Sequence, residues 1–324
     1  MQPTQFSSGD VIADRRADYA RMLAESGDPA AAAELMEQAL ELAPAWAAGW
    51  LRLGEYREKA GLGAEAAEAL RQVLALDPED IFGAGLKLAL LGATETPDKP
   101  PSRYVEALFD DYADRFEAAL VERLDYSVPG KLAALVRKAR GEGGPFVYAI
   151  DLGCGTGLFG VEIRSSVSRL EGFDLSANML AKAEEKSIYD HLARSDLSLD
   201  AEGSRLFEGD LTRGRADLVA AADVLMYLGD LSNAFSLAAE LAAPGALFAF
   251  SVEDAGTPDG FHLAPSLRYA HSEAYVRATL VAAGFEIREM ERTTIRMDGG
   301  KPVLGILFLA TRAPSSDRKL RTSR

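Results

Sequence analysis

Apolar residues recur at intervals of three and four along the first ninety positions, and Gly27, Pro44, Gly61 and Pro78 interrupt them. That spacing gives each of a series of helices one apolar face, expected at about 12–26, 29–42, 46–60, 63–76 and 80–92. The pattern repeats: Gly27, Ala32, Met36, Ala39, Leu42 and Pro44 return 34 residues later as Gly61, Ala66, Leu70, Val73, Leu76 and Pro78. Periodicity then stops at Thr94 to Ser102, Thr-Glu-Thr-Pro-Asp-Lys-Pro-Pro-Ser, which reads as a linker. It would separate a helical domain at 12–93 from a second domain at 103–313, with tails at 1–11 and 314–324. The second domain opens on an amphipathic stretch, Tyr104 to Leu120, with Tyr104, Leu108, Phe109, Tyr112 and Phe116 at helical spacing. Short apolar runs at 146–152, 170–174, 205–208, 217–222 and 246–252 then alternate with helical stretches, as in a mainly parallel sheet covered on both faces. Phe285 to Arg296 and Pro302 to Ala310 flank Asp298-Gly299-Gly300 and predict an antiparallel hairpin.

Composition narrows the function. With 50 acidic against 35 basic residues the formal charge is −15, which repels a phosphate backbone and excludes nucleic acid as the main partner. Arg318, Lys319, Arg321 and Arg324 cluster in the tail, where a solvated end is the ordinary explanation. The single cysteine, Cys154, can form no internal disulfide, and no apolar run is long enough for a membrane span. A cytoplasmic protein with no membrane partner is expected. Phosphate loop, paired metal-binding histidines and Gly-x-Ser-x-Gly elbow are all missing, so no metal is expected.

The chemistry concentrates where the apolar run Val147 to Ile150 meets Asp151-Leu-Gly-Cys-Gly-Thr-Gly157. Glycines at 153, 155 and 157 allow a tight strand-to-helix turn and leave no Cβ between the backbone and a bulky ligand. Cys154 and Thr156 lie inside the same loop, and Asp151 can accept hydrogen bonds from a ligand ammonium or amide. A dinucleotide fingerprint would need glycine at 158, where the chain has Leu158. Asp174 follows the second strand, 23 residues beyond Asp151, a separation suited to gripping ribose hydroxyls. It could instead cap the helix starting near Ala177, a task open to Ser176 too. Gly209-Asp210-Leu211 follows the run at 205–208, although Gly-Asp is also ordinary turn chemistry. Ala222, Asp223 and Tyr227 lie at the exit of the fourth strand, where open sheets bind ligands. His271, in a Tyr269-Ala-His-Ser272 turn, could take a proton as a neutral imidazole or could simply be structural.

These residues resemble the first two motifs of the Rossmann-like S-adenosylmethionine-dependent methyltransferases. With the aromatic helix, Asp210, Asp223 and the hairpin, the likeness covers roughly residues 103–312. The 34-residue period resembles a tetratricopeptide repeat. The whole is similar to the bacterial tetratricopeptide-containing predicted methyltransferases. The resemblance implies a Rossmann-like, mainly parallel seven-stranded sheet with a terminal antiparallel hairpin, preceded by an all-α repeat domain. It implies S-adenosylmethionine as cofactor and S-adenosylhomocysteine as product. Holding them would be Tyr112 and Phe116 as a cover, Asp151, Gly153, Cys154, Gly155, Thr156, Gly157, Asp174 and Leu175, with Asp210 and Leu211 at the adenine and Ala222 beyond. The methyl acceptor would be an oxygen, nitrogen or carbon nucleophile of a small molecule or a protein, faced by Asp223, Tyr227 and His271. The repeats would bind a partner, self-associate or stabilise the enzyme. An NAD-linked oxidoreductase and a non-catalytic cofactor-sensing scaffold remain alternatives.

Overall fold

The computed structural model describes residues 7–113 and 126–314, apart from the side chains of residues 111 and 112. The chain divides into two compact units, Met1–Ala107 with Pro265–Leu267, and Leu108–Ala264 with Arg268–Arg324. The first is helical, with α1 (Val11–Glu25), α2 (Pro29–Leu42), α3 (Ala47–Lys59), α4 (Gly63–Leu76), α5 (Ala84–Leu90) and the start of α6 (Ser102–Tyr112). Its helix starts follow from capping: the Asp10 carboxylate accepts from the Ile12 and Ala13 N–H groups, and Asp28 accepts from Ala31 beside Pro29. Small residues let neighbouring helices approach, as where Ala13, Ala17 and Ala20 are buried with Ala32, Met36 and Ala39. At Gly54 a Cβ would come within 3.2 Å of Leu70, so α3 and α4 pack almost backbone to side chain. Helix α5 starts later than its periodicity predicts. Asp80, at φ 50°, turns its carboxylate onto the N–H groups of Ala84 and Gly85 and fixes the start there.

The second unit arranges α7 (Val128–Arg140), α8 (Leu158–Ile163), α9 (Ala177–Glu185), α10 (Ser232–Leu241) and α11 (Glu273–Ala282) around one mixed sheet. Strands β1 (Phe146–Leu152), β2 (Val167–Asp174), β3 (His191–Arg194), β4 (Ala216–Ala221) and β5 (Ala242–Asp254) lie parallel in the order β3-β2-β1-β4-β5. Strand β9 (Lys301–Arg312) then runs antiparallel beside β5, and β8 (Phe285–Asp298) antiparallel beside β9. Gly299 and Gly300, both at positive φ, make the two-residue turn between them, and Asp298 pairs with Lys301. Ile150, Leu152, Phe248 and Phe250 are buried in one core, and Ala149, Leu218, Leu247 and Ala249 in another. Alternate residues of each strand thus enter different cores, which explains why these runs are almost continuously apolar.

Three expectations change. The sheet has nine strands among the described residues, because β6 (Phe261–Leu263) and β7 (Tyr269–His271) add a short ribbon along the far end of β5, where Glu253 pairs with Ala270 and Asp254 with His271. His271 therefore ends a strand and is not in a turn. The third strand is His191–Arg194, and the run at 205–208 forms turns. Arg215 supplies the reason: its guanidinium donates to Leu206 O at 3.1 Å and Thr212 O at 2.9 Å while pairing with the buried Glu171 of β2 at 3.0 Å. The segment is folded around that charge and is not extended alongside the sheet.

Candidate functional site

Parallel pairing places Asp151 opposite Gly172 of β2 and Ala220 of β4, so its carboxylate stands at the carboxyl edge near the middle of the sheet. Beyond it Gly153, Gly155 and Gly157 all have positive φ, at 64°, 55° and 92°, the backbone that L side chains resist. Gly153 has a second constraint, since a Cβ there would fall 2.3 Å from Val224 Cγ2 at the exit of β4. The loop is also tied to β2: Cys154 N–H donates to Phe173 O at 2.9 Å, and Gly155 N–H donates to the Asp174 carboxylate at 2.8 Å. Asp174 accepts a further bond from Ser176 N–H at 2.9 Å, while Ser176 caps α9 through Met179 N–H. Ser176 therefore supplies the helix cap that the sequence leaves open between it and Asp174.

Burial dominates the electrostatics here. It raises Asp151 to about 7, against the Tyr189 hydroxyl that lowers it, and it raises Asp174 to about 6 despite backbone N–H bonds from Ser176 and Gly155. Burial also pushes the Cys154 thiol well up, so it is no thiolate nucleophile. Asp151 Oδ1, Thr156 Oγ1 and Ser195 Oγ are buried with no hydrogen-bond partner among the described residues. Each such atom costs about 1–3 kcal/mol, and all three lie at the carboxyl ends of β1 and β3, where an open sheet binds its ligand. A carboxylate oxygen awaiting a donor, backbone stripped of Cβ atoms and a second carboxylate one strand away fit the ammonium, sulfonium chain and ribose of S-adenosylmethionine. Among the described residues no group of three or more His, Cys, Asp or Glu could hold a metal ion.

Other expected cofactor residues are distributed less simply. Leu175 is half-buried, its carbonyl accepting from Arg194 Nε at 3.2 Å. Ala222 is half-buried at the exit of β4. Asp210 is exposed and lies in a turn, and Leu211, just after it, is half-buried. Because β3 is His191–Arg194, the residues at its carboxyl end are Ser195, Asp196 and Leu197; Asp210 and Leu211 lose the position that suggested them. Asp196 carries the same turn chemistry, accepting from Ser198 N–H at 2.9 Å, so the sequence contains two equivalent signals and the strand assignment chooses between them. Phe116 and the Tyr112 side chain lie outside the described residues. Earlier on α6, Asp110 accepts from Ser176 Oγ at 2.5 Å and from Asn178 N at 3.4 Å, and Phe109 meets Tyr227 edge-on at 5.0 Å, which sets this helix across the ends of β2 and β4.

At the exit of β4 the chain turns on Asp223, a non-glycine residue at φ 57° whose N–H donates to Ser251 Oγ of β5 at 2.8 Å. Its carboxylate lies 3.3 Å from the Arg296 guanidinium of β8, and Arg296 also pairs with Glu253 of β5. Burial raises Asp223 to about 6, with Arg296 opposing and Glu253 reinforcing the shift. Tyr227 is buried beside this group, its hydroxyl accepting from Arg268 Nε at 3.3 Å while the Arg268 guanidinium sits 5.9 Å from the ring centre. Burial raises the Tyr126 hydroxyl well above its ordinary range, and the charges of Asp223, Arg296 and Asp151 and the Tyr227 hydroxyl act on it too. Arg296, Glu253, Arg268 and Tyr126 carry no sequence signal, since they come from β8, β5 and two separate connecting segments. His271 is fully buried, its Nε2 is 2.9 Å from Gly229 O, and burial lowers it to about 4. Its ring stacks on Tyr275. These contacts surround the imidazole with β7, α11 and the backbone of residues 228 and 229, which follow Tyr227.

The chain matches the methyltransferase domain family over residues 121–289. No curated protein matches it. Among solved structures it is similar to the Burkholderia thailandensis 1,6-didemethyltoxoflavin-N1-methyltransferase with bound 1,6-didemethyltoxoflavin and S-adenosylhomocysteine, at 17% identity and a TM-score of 0.51 over 68% of this chain and 93% of that one. It is also similar to the Synechocystis magnesium protoporphyrin IX methyltransferase with bound S-adenosylhomocysteine, at 19% identity and a TM-score of 0.49 over 65% and 99%. A Mesorhizobium loti S-adenosylmethionine-dependent methyltransferase is 22% identical with a TM-score of 0.42 over 55% and 96%. At these identities the likeness to solved structures concerns the fold, and the family match covers more than half of the chain. The glycine loop, the paired carboxylates at the ends of β1 and β2 and that match agree: the chain belongs to the methyltransferase domain family and is an S-adenosylmethionine-dependent enzyme.

Proposed function

We propose that the enzyme methylates a protonated oxygen or nitrogen nucleophile and that Asp223 orients the acceptor and takes up its proton. Asp151 and the loop from Gly153 to Gly157 would hold the amino-acid end of the cofactor, Asp174 the ribose hydroxyls, and Ser195 to Leu197 the adenine. When bound, the cofactor supplies an electrophilic methyl group with its own leaving group, so that orientation and exclusion of water can provide most of the rate. The observation that carries the reading is Asp223 itself. A buried carboxylate on left-handed backbone beside the cofactor loop is strained, and strain of that kind persists where surrounding structure holds a residue in place for a task. At about 6 its proton affinity suits a base working near neutrality. Arg296 pairs with its carboxylate at 3.3 Å.

The helical unit, with its 34-residue period, we read as tetratricopeptide-like, a surface for a partner or a polypeptide acceptor. The test incubates the protein and an Asp223→Asn variant with radiolabelled S-adenosylmethionine and a cell extract, then separates protein-bound from small-molecule label. Label lost by about 10²–10⁴-fold in the variant, with S-adenosylhomocysteine binding kept, is the expected result. Equal labelling by both proteins would remove Asp223 from the mechanism. The fraction carrying the label identifies the acceptor as protein or metabolite.

A further inference from the structure

The Asp151 side chain, at the end of β1, is held from outside the glycine loop. Its Oδ2 accepts a hydrogen bond at 2.7 Å from the hydroxyl of Tyr189, which lies in the turn between α9 and β3. The Tyr189 ring reaches that point through a slot formed by three glycines from three places in the chain. A Cβ on Gly160 of α8 would stand 2.3 Å from the Tyr189 Oη, one on Gly172 of β2 would stand 2.8 Å from Cε1, and one on Gly157 would stand 3.0 Å from Cε2. Of these, only Gly157 has positive φ, so at Gly160 and Gly172 the backbone would accept a side chain and the space would not. The tyrosine therefore accounts for Gly160, and together with Leu192 Cδ2, also at 2.8 Å, for Gly172. The tyrosine in turn ends on one oxygen of a carboxylate whose other oxygen, Oδ1, is buried without a partner among the described residues.

We infer that Tyr189 is a positioning residue that locks the Asp151 carboxylate in one rotamer, with Oδ1 presented to the ammonium of the cofactor's amino-acid end. The inference rests on the proposed placement of that end against Asp151. A free carboxylate rotates and shares its charge between two oxygens, whereas one oxygen fixed by a neutral donor leaves the other as a defined acceptor. Burial pushes the Tyr189 hydroxyl well above its ordinary range, so it stays protonated across the pH range in which Asp151 titrates. The bond also favours the charged form of Asp151, against burial and against Asp174, the charged neighbour that raises it. Tyr126 and Cys154 are the other titratable groups near Asp151, and both are kept neutral by burial. Since an ammonium needs the carboxylate ionised, binding should strengthen as pH rises through the Asp151 midpoint. Loss of the Tyr189 hydroxyl should move that midpoint upward.

The experiment measures S-adenosylhomocysteine binding to the full chain by calorimetry between about pH 5.5 and about pH 8.5, bracketing the Asp151 value of about 7. Tyr189→Phe should bind about tenfold more weakly near pH 6.5 and lose less at the alkaline end, because a hydrogen bond to a charged group is removed while the ring still fills its slot. The control ligand is 5′-methylthioadenosine, which lacks the amino-acid end, and its affinity should be the same in both proteins. Unchanged S-adenosylhomocysteine affinity and pH dependence in Tyr189→Phe would overturn the inference. So would an equal loss for both ligands, which would make Tyr189 a packing residue of the loop. Asp151→Asn separates the underlying reading: if it binds S-adenosylhomocysteine as the wild type does, the ammonium is not held by Asp151 at all.

Discussion

Replacing Asp151 by asparagine should stabilise the cofactor-free protein while removing its cofactor. The carboxylate is buried, and it shifts from 3.8 in an unfolded chain to about 7 in the folded one. An acid whose folded value is raised contributes full stability below the unfolded value and loses it as pH rises toward the folded value. Above about pH 7 the accumulated cost of this one group is about 4 kcal/mol, at ~1.4 kcal/mol per pH unit. Asparagine has the same shape, keeps an oxygen for the Tyr189 hydroxyl and carries no charge, so it avoids this cost. Urea unfolding of the cofactor-free proteins should therefore favour Asp151→Asn by about 2–4 kcal/mol near pH 8, part of the gain being lost to the extra buried N–H₂ donors. The advantage should shrink steadily with falling pH and vanish near pH 4, about where both states become protonated. Adding S-adenosylhomocysteine at about a hundred times its Kd should raise wild-type stability by about 2.7 kcal/mol and leave the variant unchanged. A variant less stable at pH 8, or an advantage that does not depend on pH, would refute the reasoning.

Two further expectations follow from close contacts. Gly153→Ala places a Cβ 2.3 Å from Val224 on backbone at φ 64°, and should cost about 1–3 kcal/mol in urea unfolding and abolish detectable S-adenosylhomocysteine binding by calorimetry. Arg215→Met leaves the fully buried Glu171 with Arg169 at 3.3 Å and the Tyr148 hydroxyl and frees the turns around Leu206 and Thr212, so denaturant unfolding should show a loss of about 1–3 kcal/mol, and limited proteolysis should cut between residues 204 and 215.

The glycine loop, Asp151 and Asp174 were legible in the chain because their requirements are local. Three alternate glycines announce left-handed backbone at a strand end whatever surrounds them, and β1 and β2 are apolar enough to be recognised as strands on both sides of the loop. The hairpin was legible for the same reason, since Asp298-Gly299-Gly300 encodes its own turn. The third strand was not. His191–Arg194 is four residues long with no apolar run, while Leu206 and Phe207 look like a strand and are turned aside by hydrogen bonds to Arg215, an interaction made from outside the run. That one assignment puts Asp196, and not Asp210, just after the third strand.

Local sequence was thus sufficient for the helical periodicity, the parallel alternation, the turn chemistry and the cofactor loop, each of which depends on residues a few positions apart. The surroundings of Asp223 were not accessible in that way. Asp223, Glu253 and Arg296 meet only because β9 inserts beside β5 and carries β8 with it, and Tyr189 finds Asp151 only because Gly157, Gly160 and Gly172 are brought to one slot by the crossing of α8 over β1 and β2. Burial then sets their charges, and burial is a property of the assembled chain: the same aspartates in an unfolded chain would titrate near 3.8, and in this fold they rise to about 6 and 7 because water has been replaced by neighbours.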